Sequence, residues 1–101
     1  MPDVSQYDVW TLRDGGHVLI VQHDLVDHAI TRAVLPLGSA EVVRAMNEKM
    51  HPRIEVNGQA FHLMPFGLAT VAVSILKDRI GNASDHHDAI THTLDLLFHG
   101  V

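Results

Sequence analysis

Asp88, His92, Asp95 and His99 recur at intervals of three or four residues near the end of the chain. On a helix turning about 100° per residue they fall within one narrow stripe, nearly opposite Ile90, Leu94 and Leu97. Carboxylates and imidazoles in that arrangement admit three chemistries. An amphipathic helix ordinarily carries such a side simply as its solvated face. The same groups also suit a partner-binding face, or a metal site in which His and Asp four residues apart share an ion. The nine histidines are His17, His23, His28, His51, His62, His86, His87, His92 and His99. They are scattered, no HExxH occurs, and the side chains of adjacent His86 and His87 diverge on a helix. Metal is therefore the minority reading.

Catalytic patterns are thin. The chain has no GxSxG, no phosphate-cradling glycine loop and no GxGxxG, and Gly15-Gly16 and Gly58 read as turn glycines. The expectation is a protein with neither an active site nor a cofactor.

The elements that must position the stripe read mainly as strands. Tyr7–Leu12 is rich in β-formers, and Arg13-Asp14-Gly15-Gly16 suits a turn. His17–His23 is a nearly continuous apolar run, as expected of a central strand covered on both faces. A third strand is predicted over Arg32–Leu37, with Pro36 at its end or on an edge. Ser39–Met46 suits a short helix capped by Ser39. Arg53–Val56, Asn57-Gly58 and Gln59–Met64 form the strongest local signal, a hairpin with a type I′ turn. Thr70–Leu76 reads as a further strand. The final helix is expected to be capped by Ser84 or Asp85 and to bury Ile90, Leu94, Leu97 and Val101. The predicted architecture is a compact antiparallel β domain with one C-terminal helix.

Composition agrees with a single domain over residues 1–101. Of its residues 47% are hydrophobic and 19% charged, which excludes a disordered chain. A domain of this size buries roughly two-thirds of its unfolded surface, so dimerisation would add to its stability. The net charge is −5, and seven Lys and Arg form no basic stripe, which argues against direct nucleic-acid binding. No signal peptide or membrane-spanning run is recognisable, so a soluble intracellular protein is expected.

Several segments, taken in order, resemble the CcdB family of toxins that poison DNA gyrase. They are Val21–Asp27, Val34–Ala40, Met50–Gly58, Ala69–Leu76 and Leu94–Val101. The similarity runs from about Val18 to Val101 in family order and spacing. It implies an SH3-like β-barrel of the CcdB/MazF kind with a C-terminal helix, and a homodimer in the bacterial cytoplasm. It further implies a type II toxin that binds the gyrase A subunit, traps the gyrase–DNA cleavage complex, and is neutralised by a CcdA-like antitoxin. Carried over by position, the gyrase-binding residues are Leu25, Val26, His87, Asp88, Thr91, His92, Asp95, His99, Gly100 and Val101. Under that resemblance the polar stripe becomes a binding face.

The chain departs from the family at its end. Well-studied members finish Trp-Gly-Ile, whereas this chain finishes His99-Gly100-Val101. Tryptophan presents a large face to a gyrase arginine, and histidine a smaller one. A neutral imidazole stacks on a guanidinium and an imidazolium repels it, so binding through His99 should weaken as pH falls. Two alternatives to the gyrase poison follow. One is a CcdB-fold protein whose target is lost or shifted, and the other is a MazF-like endoribonuclease, which the acidic composition disfavours.

Overall fold

The computed structural model of the protein describes residues 4–24, 30–39 and 50–100. Among these residues there are seven strands: β1 Asp8–Leu12, β2 His17–Ile20, β3 Thr31–Ser39, β4 Arg53–Val56, β5 Gln59–Leu63, β6 Ala69–Ala72 and β7 Leu76–Asn82. The only α-helix among the described residues, α1, spans His87–His99. The strand order is β4-β5-β3-β2-β1-β7, with β6 paired to β3 beside β5, and every pairing is antiparallel. The protein is thus mainly β, a curled antiparallel sheet with one C-terminal helix, as predicted.

The central strands bury both faces. Val9, Leu19 and Leu35 point into one core with Ile54, Val56, Phe61, Leu63, Ala83 and Ile90. Their chain neighbours Trp10, Val18, Ile20 and Val34 point to the other side, against Val4, Val73 and Leu76. The period-2 alternation of strands makes this division, and it explains why β2 reads as an unbroken apolar run.

The Asn57-Gly58 hairpin forms as expected, with φ of 51° and 77° at its two central residues. Asn57 also bonds across the ends of the sheet, its Nδ2 donating to the Ile80 carbonyl. There β4 approaches β7 so closely that a Cβ on Gly81 would lie 2.7 Å from Val56 Cγ1. A glycine is required for that contact, which curls the sheet towards closure.

β2 ends at Ile20 rather than at His23, and three further strand expectations change. First, β3 runs through Pro36 to Ser39 rather than ending near Leu37. Pro36 lacks an N–H, yet sits between the stretch paired to β6 (Thr31–Val34) and the stretch paired to β5 (Leu37–Ser39). Its carbonyl accepts from Met64 N–H at 3.0 Å, and no donor is needed at this break in the ladder. Second, the strand predicted over Thr70–Leu76 stops at Ala72, and a 3₁₀ turn at Val73–Ile75 turns the chain into β7. Third, β7 itself was not expected, because Lys77, Asp78 and Arg79 are all exposed and carry no apolar alternation. The short helix predicted over Ser39–Met46 lies outside the described residues except for Ser39, which ends β3.

Candidate partner-binding surface

The core sets the rotation of α1. Ile90 and Thr93 are fully buried, Leu94 and Leu97 are half-buried, and Val101 lies outside the described residues. The buried line is thus rotated towards Thr93 from the Ile90–Leu94–Leu97 line predicted. Thr93 tolerates burial because its Oγ1 donates to the Ala89 carbonyl at 2.9 Å. With that line inward, Asp88, His92, Asp95 and His99 all point outward and are exposed.

The helix does not begin as predicted. Ser84–His86 is a 3₁₀ turn, and His86 precedes α1 without a side-chain cap. Asn82 caps this turn instead of Ser84 or Asp85, its Oδ1 accepting Ser84 N–H at 2.9 Å. His87 Nδ1 lies 3.1 Å from the Ser84 carbonyl and its Nε2 3.1 Å from Asp88 Oδ1. At the other end Gly100 adopts φ 73°, and its N–H returns to the Leu96 carbonyl at 3.0 Å. Gly100 therefore terminates the helix as a left-handed cap.

Of the residues singled out by resemblance, the structure brings seven together on the exposed side and end of α1: His87, Asp88, Thr91, His92, Asp95, His99 and Gly100. Leu25, Val26 and Val101 lie outside the described residues. Asp24, the residue before Leu25, is tied to the N-terminal segment by a 2.7 Å bond from Gln6 N–H to its Oδ1.

One surface residue was missed. Phe98 is 61% exposed, about 80° around α1 from Ile90 and beside His99. The signal was present in the sequence, since Phe98 falls off the apolar face drawn through Ile90, Leu94 and Leu97. A large aromatic displaced in this way marks a contact surface better than the same residue within the face.

His17, His51, His62 and His86 serve the scaffold. His62 is buried and its Nδ1 donates to the His51 carbonyl at 2.7 Å, while His51 Nδ1 donates to the Leu63 carbonyl at 3.1 Å. His17 packs its ring 5.0 Å from that of Phe61. His86 Nε2 lies 3.2 Å from the Glu55 carbonyl, fastening the helix start to β4. Among the described residues no three His, Asp or Glu side chains converge where they would hold one metal ion. The α1 surface carries hydrogen-bonding carboxylates and imidazoles beside an exposed aromatic ring, groups of the kind that protein interfaces use.

Comparison with known proteins agrees with this architecture. An endoribonuclease from Mycobacterial species is similar in structure, with a TM-score of 0.75 over 94% of this chain and 90% of that one, at 14% identity. Likeness at that identity is likeness of fold. The family model of the CcdB protein matches residues 6–100, from the segment ahead of β1 to the glycine that ends α1. The chain belongs to the CcdB family.

Proposed function

We propose that the protein is the toxin of a type II toxin–antitoxin pair, acting by binding and not by catalysis. Its target is the A subunit of DNA gyrase, whose covalent complex with cleaved DNA it traps, and a CcdA-like antitoxin neutralises it. The observation that supports this reading is the α1 surface: seven positions that the resemblance assigns to gyrase binding stand exposed together on one helix and its cap. Phe98 belongs to the contact, supplying beside His99 the aromatic face that the family's terminal tryptophan would present to a guanidinium. A homodimer places two such surfaces about a two-fold axis, matching a two-fold target. The site of action is the bacterial cytoplasm, in keeping with a protein whose described helix is too short to cross a membrane.

Mixing the protein with gyrase, ATP and closed-circular DNA tests the proposal, the expected product being protein-linked linear DNA. Two alternatives keep a specific motivation. The change to His99 favours a family member whose target has shifted, and capture of another protein without gyrase trapping would establish it. The endoribonuclease neighbour motivates RNA cleavage, read by incubation with single-stranded RNA. The net charge of −5, with only seven Lys and Arg in the chain, weighs against that activity.

A further inference from the structure

Residues Ser5–Asp8 bond to two parts of the chain far apart in sequence. On one side Gln6 N–H donates to Asp24 Oδ1 at 2.7 Å, Gln6 Nε2 to the Val21 carbonyl at 3.3 Å, and Tyr7 N–H to the Ile20 carbonyl at 2.7 Å. On the other side the Tyr7 carbonyl accepts Ala83 N–H at 2.8 Å, and the Gln6 carbonyl accepts Asn82 Nδ2 at 3.3 Å. An extended residue points its N–H and C=O to the same neighbour. Tyr7 points them to opposite neighbours, and its φ of 71° makes this possible.

Asp8 locks the arrangement. Its side chain is buried, with Oδ2 accepting Ser5 N–H at 3.0 Å and Oδ1 accepting Arg79 Nε at 3.0 Å and Asn82 Nδ2 at 2.9 Å. Asn82 in turn caps Ser84, at the start of the turn that leads into α1. A left-handed non-glycine residue persists only where its surroundings over-determine it, and here bonds on both sides do so.

We infer that Gln6-Tyr7-Asp8 is a positioning clip. It holds the Val21–Asp24 segment, which leads into Leu25 and Val26, in fixed relation to the start of α1. The inference rests on the proposed binding surface, whose α1 part begins just beyond the turn that Asn82 holds. None of Gln6, Tyr7, Asp8, Asp24 or Asn82 belongs to the proposed contact set, so each acts on the partner through the residues it places. Such coupling is a property of both ends at once.

The test uses the full-length ¹⁵N-labelled protein and the variants Asp24→Ala, Asp24→Asn, Asn82→Ala and the double variant Asp24→Ala/Asn82→Ala. Asp24 is exposed, so its replacement leaves the fold intact. Asp24→Ala is expected to shift the amide resonances of Ser84–Asp88 as well as its own neighbours, and Asn82→Ala to shift those of Val21–Asp24. Asp24→Asn keeps an acceptor for Gln6 N–H and restores the parental positions. Calorimetry with a gyrase A dimerisation fragment should show each alanine variant weakened about 3- to 10-fold, with the double variant no weaker than the worse single. Amide shifts confined to each substituted residue's own surroundings, or affinity losses that simply multiply, would overturn the clip. If the parent protein fails to bind the fragment, the amide shifts alone decide the clip, and the gyrase reading is what fails.

Discussion

Truncating Phe98 to alanine separates binding from packing, because the ring is part packed against the protein and part exposed on the proposed contact surface. It is 61% exposed, so about two-fifths of its surface already packs against the protein. A phenylalanine carries roughly 150–250 Å² of buriable surface. At about 25 cal/mol per Å² the packed share contributes up to ~2 kcal/mol to folding, an upper bound because the unfolded chain also covers part of it. Phe98→Ala should therefore lower the melting temperature by at most ~10 °C. Covering the exposed share on a partner is worth roughly 2–4 kcal/mol, or about 30- to 800-fold in Kd. Circular dichroism supplies the first quantity and calorimetry with the gyrase A dimerisation fragment the second. Sedimentation equilibrium of the variant keeps a loss of self-association from being read as a loss of target. A normal affinity alongside the expected fall in melting temperature would refute the reasoning and return Phe98 to the solvated surface.

Replacing His99 by tryptophan should strengthen the same binding on the order of tenfold, the gain of a larger cation–π face. Ile90→Ala removes a fully buried anchor of α1 and should cost about 2–5 kcal/mol in urea unfolding. Gly81→Ala sets a Cβ 2.7 Å from Val56 Cγ1, and the displacement of β4 from β7 should cost about 1–3 kcal/mol by the same measurement.

What was legible in the sequence was what depends on local pattern. Asn57-Gly58 announces its hairpin because few residue pairs accept two positive φ angles, and α1 announces itself by its period. Features resting on long-range partners were not legible. β7 has no apolar alternation because β1 and the approach to Val56 hold it in place, while Lys77, Asp78 and Arg79 face solvent. Thr93 reads as a polar helix residue until its hydroxyl is seen bonded within the helix. The Asp8–Asn82 contact joins residues 74 apart, a distance that no motif spans. The candidate surface stands between these cases. Period alone placed Asp88, His92, Asp95 and His99 on one side of α1, and the proposal that this side binds a partner comes only from the family resemblance. Phe98 lies off the apolar face that the sequence predicts, and the structure shows the ring exposed there.

The central claim is that the α1 surface engages gyrase and traps it on DNA. The most direct measurement is the cleavage assay with purified protein, gyrase, ATP and closed-circular DNA. The account predicts linear DNA covalently linked to gyrase that accumulates only when both proteins are present, and that is lost in Phe98→Ala. Absence of such DNA at protein concentrations well above that of gyrase would contradict it.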